Sequence, residues 1–180
     1  MATAERPDAP PHVLPDVIRS GLKIVFCGTA AGTVSARRGA YYAHPQNKFW
    51  RTLFAVGLTP RLMSAEEYRV LSEFGLGLTD LMKSVSGMDH ELPRDALNAE
   101  ARAALTEKIG VAQPKLLAFT SLAAGRGFLG RAATFGDSGA RIGETRIWVL
   151  PSPSPAAHWN FDQSWWRRLA EDERALASPA

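Results

Sequence analysis

The apolar run Ile24-Val25-Phe26-Cys27 breaks abruptly into Gly28-Thr29-Ala30-Ala31-Gly32, and this junction constrains the fold more than any other stretch of the chain. Branched and aromatic residues in a short unbroken run predict a buried strand over Leu22–Cys27. The small residues that follow leave the backbone open to close approach by a ligand. In open α/β sheets ligands bind beyond the carboxyl ends of strands. The junction therefore predicts a pocket at residues 28–32. The long polar and aromatic segment Gly28–Gln46 is expected to be its loop, since long loops in compact domains are commonly functional.

The rest of the pattern alternates between helix and strand. A short helix is expected over Leu14–Ser20. Asn47–Val56 reads as a helix with Phe49, Leu53 and Phe54 on its apolar stripe, and Ala65–Phe74 as another, with Glu66 and Glu67 in its first turn. Leu76–Leu81 reads as a short strand and Met82–Leu92 as a polar loop. Pro93–Val111 is expected to be the longest helix, opened by Pro93 and with Gly110 near its end. Leu116–Thr120 is a strand and Leu122–Leu129 a short helix. Phe135–Gly143 reads as a turn-rich connection, Thr145–Leu150 as the last strand, Pro151–Phe161 as a proline-rich loop and Asp162–Leu176 as a closing helix. Strands alternating with helices imply a single three-layer α/β/α domain with a short, mainly parallel central sheet. Residues 1–12 read as a disordered lead-in and residues 13–180 as the domain.

Composition narrows the class. At 180 residues the chain matches one domain, and 46% hydrophobic with 22% charged residues is ordinary for a globular protein. No apolar run is long enough to cross a bilayer and the N-terminus lacks a signal-like core, so a cytoplasmic protein without a membrane partner is expected. One cysteine, Cys27, excludes an internal disulfide and an all-cysteine metal site, and reads as a small buried hydrophobe. His12, His44, His90 and His158 show no metal-ligand spacing, so no metal or other cofactor is expected. A net charge of +3 is compatible with a phosphate-bearing partner without identifying one.

Four blocks, in order, resemble the uracil-DNA glycosylase superfamily, and within it the mismatch-specific uracil/thymine-DNA glycosylase branch. They are Gly28–Gly32, Ala43-His44-Pro45-Gln46-Asn47-Lys48-Phe49-Trp50, Gly77-Leu78-Thr79-Asp80, and Trp148-Val149-Leu150-Pro151-Ser152-Pro153-Ser154. The resemblance implies a monofunctional enzyme, acting as a monomer on double-stranded DNA with a damaged or mismatched base. Such an enzyme takes the base out of the stack and hydrolyses its N-glycosidic bond. It implies a base pocket of Gly28, Thr29, Ala30, Ser35, Tyr42 and Ala43, with the Tyr42 ring stacking on the base. It also implies a DNA-contacting set of Lys48, Ser152, Ser154, Pro155, Ala156 and Ala157, with a wedge at Ala156, where the family usually has leucine. His158, Trp159, Arg167 and Arg168 are further DNA-contact candidates, and Trp159, Trp165 and Trp166 equally suit anchors of the last helix. Arg37 and Arg38 add positive charge near the pocket loop.

The departure that matters most is Ala30-Ala31, where the branch usually carries asparagine followed by proline and uses the asparagine to position water. Neither alanine can polarise water. Asp80 is the candidate catalytic residue: it follows the small, apolar run Gly75–Thr79, and an ionised carboxylate can orient and deprotonate water while favouring a cation-like sugar. Its bland alternative is a helix cap or strand end.

Two other classes compete. One is a DNA-binding protein that kept the fold and lost catalysis with the asparagine. The other is a nucleotide-binding domain using Gly28 and Gly32, which the lack of Gly-x-Gly-x-x-Gly or Gly-Lys-Ser/Thr spacing disfavours.

Overall fold

The computed structural model describes residues 12–92 and 97–177. Five strands form one sheet in the order β2-β1-β3-β5-β4. They are β1 (Ile24–Ala31), β2 (Leu76–Ser86), β3 (Leu116–Phe119), β4 (Gly136–Ile142) and β5 (Thr145–Val149). β1 pairs in parallel with β2 and β3, and β3 in parallel with β5, while β4 runs antiparallel at one edge. The helices are α1 (Thr33–Arg38), α2 (Phe49–Ala55), α3 (Ala99–Ala112), α4 (Leu122–Leu129) and α5 (Gln163–Ala177), with 3-10 segments at Ala65–Phe74 and Pro155–Asn160.

Alternate residues of β1 face opposite layers, which is why its apolar run is continuous. Ile24 and Phe26 enter one core with Phe49 and Leu53 of α2 and Trp166 and Leu169 of α5. Val25 and Cys27 enter the other with Leu105 and Ile109 of α3 and Ala124 of α4. Two cores on the two faces of one sheet make the expected α/β/α layering. Phe26 stacks on Trp166 at 5.8 Å between ring centroids and meets Phe49 edge-on at 5.4 Å, which ties β1, α2 and α5 together.

Several elements differ from the sequence expectation. Leu14–Ser20 is not a helix: Val17 forms an antiparallel bridge with Leu78 at the open edge of β2. Leu14 and Val17 are spaced like a helical stripe, but both bury against the sheet edge instead, with Pro15 between them. β1 runs on to Ala31, because the small residues after Cys27 still pair with β2, so the expected loop is shortened and also contains α1. β2 likewise continues through Lys83–Ser86, where alternating burial replaces the apolar run. Gly136–Ile142 is an edge strand rather than a turn-rich connection, closed onto β5 through Gly143 at φ 57°. Pro93 lies outside the described residues. α3 starts at Ala99, where the Asn98 side chain accepts the Ala101 amide, and it is one residue shorter than α5. Of the lead-in, residues 1–11 also lie outside the described residues.

The chain leaves β1 to one side, to β2, and then crosses to the other, to β3. That reversal of direction beside β1 makes the carboxyl ends of β1 and β3 the topological switch point, the usual ligand position in such sheets.

Candidate active site

Gly28 of β1 pairs across the ladder with Asp80 of β2. A side chain on Gly28 would put its Cβ 2.7 Å from Asp80 Oδ1, 3.5 Å from the Tyr42 hydroxyl and 3.7 Å from Thr120 Oγ1. Three polar groups from β2, the loop after α1 and the end of β3 therefore converge on one glycine. Asp80 lies inside a strand, with burial on both sides of it, so it neither caps a helix nor ends a strand.

The Asp80 side chain is buried, at 6% exposure. Burial pushes its carboxyl up from 3.8 to about 6; Lys83 and Lys108 oppose the rise and Asp16 reinforces it. No hydrogen bond or ion pair holds Asp80 among the described residues, which is unusual for a buried carboxylate in a purely structural role. A carboxyl group near 6 is largely ionised at neutral pH and still basic enough to accept a proton.

The two lysines are engaged elsewhere. Asp16 accepts an ion pair from Lys83 at 2.8 Å and from Lys108 at 2.5 Å, and a hydrogen bond from the Thr79 hydroxyl at 2.7 Å. Lys83 also donates to the Tyr41 hydroxyl at 3.0 Å, and Lys108 to Thr79 at 3.2 Å. Burial raises the Asp16 carboxyl, but Lys83 and Lys108 outweigh it and hold Asp16 below its ordinary value. The bridge between Val17 and Leu78 is what carries Asp16 to this place. None of Asp16, Lys83 and Lys108 was legible as a site residue, because they lie far apart in the chain. Thr120 carried a fainter signal, as a polar residue at a strand's carboxyl end.

Tyr42 forms one wall. Its ring lies parallel to that of Phe49 at 3.9 Å, and its hydroxyl is 2.9 Å from Thr120 Oγ1. Burial, then Asp80, push that hydroxyl well above the usual tyrosine range, so it stays protonated and available as a donor. The backbone of Tyr42 has φ 52°, a left-handed conformation that costs a bulky residue roughly 1–3 kcal/mol when its surroundings enforce it. Here they do. Ser35 Oγ accepts the Ala43 amide at 3.1 Å, and the Arg38 guanidinium donates to the Ala43 carbonyl at 2.9 Å. Trp50 of α2 donates its indole N–H to the Tyr41 carbonyl at 3.1 Å.

Ser35 and Ala43, both buried, therefore act through the backbone that aims Tyr42. Tyr41 is a core residue, and Arg38 is spent on Ala43 and on an ion pair with Glu66. Thr29 and Ala30 are half-buried at the end of β1, with Thr29 Oγ1 3.5 Å from Ser121 Oγ. No third His, Cys, Asp or Glu joins Asp16 and Asp80 to make a metal-holding group among the described residues.

The DNA-contact candidates gather on a neighbouring surface. Asn47 Oδ1 accepts the Phe49 amide and starts α2, and the Lys48 amide donates to the Pro153 carbonyl at 2.9 Å. That bond joins the start of α2 to the proline-rich segment. Between them runs a shallow groove lined by Gln46, Lys48, Arg51, Pro155 and His158. Lys48 Nζ also sits 4.7 Å over the Phe161 ring. Ser152 Oγ accepts the Ser154 amide and Ser154 Oγ the Ala156 amide, so both serines shape the turn. Ala156 is exposed on it, with Pro155 and Ala157 half-buried. Trp166 is fully buried, but Trp159 is 85% exposed and anchors nothing in the core. Arg167 and Arg168 are exposed on α5, and the Arg168 guanidinium lies 4.7 Å over the Trp165 ring.

A buried carboxylate without a hydrogen-bond or ion-pair partner, a glycine and an aromatic side chain thus meet at the strand ends of an α/β sheet. The sequence profile of the Uracil DNA glycosylase superfamily matches residues 15–173, and the chain belongs to that superfamily. Its fold is similar to the solution NMR structure of a "putative Uracil DNA glycosylase" from Methanosarcina acetivorans. The TM-score is 0.61 at 24% identity, over 92% of this chain and 97% of the other. Membership supports a DNA glycosylase role in base excision repair, with DNA as substrate. Among the described residues no helix is long and apolar enough to cross a membrane.

Proposed function

We propose that this protein is a monofunctional, monomeric glycosylase that removes uracil from DNA, with guanine–uracil mismatches as its principal substrate and without a cofactor. The observation that carries the reading is Asp80, a buried carboxylate with no ion-pair or hydrogen-bond partner, across from a glycine and beside an aromatic wall. The extruded base stacks on the Tyr42 ring in a pocket edged by Gly28, Thr29 and Ala30, while Ser35 and Ala43 hold the backbone that aims that ring. Lys48 and the turn of Ser152, Ser154, Pro155, Ala156 and Ala157 meet the duplex.

As the bond between C1′ of the sugar and N1 of uracil breaks, its electron pair leaves with the base and positive charge develops on the sugar. Ionised Asp80 stabilises that charge and takes a proton from the attacking water, whose oxygen bonds to C1′. Because the alanines at 30 and 31 contribute nothing to water, Asp80 carries this role alone, which replaces the family's usual arrangement.

The test is single-turnover base release from duplexes carrying uracil opposite guanine, uracil opposite adenine and thymine opposite guanine. The parent is expected to be fastest on uracil opposite guanine, and Asp80→Ala to slow that reaction by about 100-fold or more, the scale for loss of a general base. Placing asparagine at Ala30 in the Asp80→Ala background is expected to restore part of the rate. Parental rates in a folded Asp80→Ala protein would remove Asp80 from the mechanism. A parent that binds duplex but releases no base would establish the non-catalytic DNA-binding alternative.

A further inference from the structure

Trp159 is the largest apolar side chain left in solvent among the described residues, at 85% exposure. A tryptophan ring has some 150–250 Å² to bury, so such exposure is costly unless another molecule covers it. The backbone beneath it is well fixed. Pro155 opens the 3-10 turn, Ser154 Oγ accepts the Ala156 amide, and His158 Nδ1 is 2.9 Å from the Pro155 carbonyl. The His158 ring lies 4.1 Å from that of Trp159 and supports it on one side. Further back, the Trp166 indole donates to the Pro151 carbonyl at 3.1 Å, so the segment is bolted to the core at its base.

Two contacts and one step of the chain link this turn to the pocket. Pro153 accepts the Lys48 amide, Phe49 follows Lys48 in the chain, and Phe49 carries the Tyr42 ring. The ring therefore projects from a segment held in register with the pocket wall. Beside it lies the groove lined by Lys48, Arg51 and His158, where the Lys48 and Arg51 cations complement phosphates. A flat apolar ring next to phosphate-binding charge fits a nucleic acid base step, since every base offers a π-face and apolar side chains can wedge steps apart. Ala156, also exposed on the same turn, carries a single methyl group and fills no such gap.

We infer that Trp159 inserts into the base stack of duplex DNA next to the extruded nucleotide, filling the gap for which Ala156 is too short. This rests on the proposed glycosylase reading for its substrate, but binding can be tested without catalysis. The probe is a duplex with one tetrahydrofuran abasic-site analogue opposite guanine, compared with the same damaged strand alone. Wild-type tryptophan emission is expected to be quenched by the duplex, and Trp159→Phe to bind it with much less quenching. Trp159→Ala is expected to bind the duplex about tenfold or more weakly, from loss of base stacking, with single-strand affinity unchanged. Its melting temperature is expected to equal that of the parent.

Equal loss on duplex and single strand would make Trp159 a strand-stacking residue and overturn the insertion. Unchanged duplex affinity and quenching, or a large fall in melting temperature, would overturn it as well. So would self-association of the wild type that Trp159→Ala abolishes, which would assign the ring to a second copy of the chain. If the wild type releases no uracil from any substrate yet shows the expected binding differences, the catalytic reading fails and the insertion stands.

Discussion

Gly28 and Asp80 face each other across the β1–β2 ladder, and a Cβ on Gly28 would stand 2.7 Å from Asp80 Oδ1. The atom that would have to give way is the end of the proposed catalytic side chain, not the backbone. Gly28→Ala is therefore expected to fold and bind duplex while losing about 100-fold or more in single-turnover uracil release, as if the general base were removed. Circular dichroism and duplex affinity check the first part, and base release the second. A Gly28→Ala protein with parental turnover would show that the Asp80 position is not critical.

The raised Asp80 carboxyl predicts opposite effects on rate and stability. Base release is expected to rise with pH through about 6 and then level off, as Asp80 ionises. For stability, the folded protein holds this proton more tightly than the unfolded chain. The contribution is fully present below 3.8, is lost as pH climbs from 3.8 through about 6, and stays lost above. A rise from 3.8 to about 6 corresponds to about 3 kcal/mol at most. Asp80→Asn is accordingly expected to melt several degrees higher than the parent at pH 7.5, with the gain vanishing near pH 4. Thermal melts of both proteins across that range decide the matter.

Asp16 is expected to act on Asp80 without touching substrate. In Asp16→Asn, Lys83 and Lys108 lose their common partner and their charge is no longer offset beside Asp80. The acid limb of the rate profile should then move to lower pH, a change that mere loosening of the fold would not produce. Global stability should also fall at neutral pH, because Asp16 is held below its ordinary value and contributes only where it is ionised. An unmoved limb would mean that the lysines do not set the charge state of Asp80.

Tyr42 separates stacking from hydrogen bonding. Tyr42→Phe loses the bond to Thr120, a loss of about 1 kcal/mol, and keeps the face that rests on Phe49. Tyr42→Ala removes the wall itself and is expected to impair base capture by roughly 1–3 kcal/mol while affecting duplex binding less. Rates for both variants under saturating enzyme, set against duplex affinity, provide the check. Unaltered turnover in Tyr42→Ala would return the residue to core packing.

The parts of this molecule visible in the sequence are those where one local signal dominates. Ile24-Val25-Phe26-Cys27 and Leu116–Phe119 are continuous apolar runs because both faces of their strands are buried, and Leu122–Leu129 coincides with α4. Leu14–Ser20 misled because burial against the edge of β2 yields the same spacing as a helical stripe. Gly136–Ile142 misled because an exposed edge strand needs little apolar content, and its glycines read as turns. Asp80 was legible as a carboxylate after a small, apolar run. Its electrostatic surroundings were not, since Asp16, Lys83 and Lys108 meet only through the tertiary fold. Trp159 could not be told from Trp166 by spacing, and only burial separates them.

The site of Asp80 within a strand also bears on how the protein fails when heated. Its strand pairs with β1, the strand shared by both cores, so the side chain cannot leave its place unless that ladder opens. A catalytic group on a loop can be lost while the scaffold survives. Here chemical competence and cooperative structure should disappear at the same temperature.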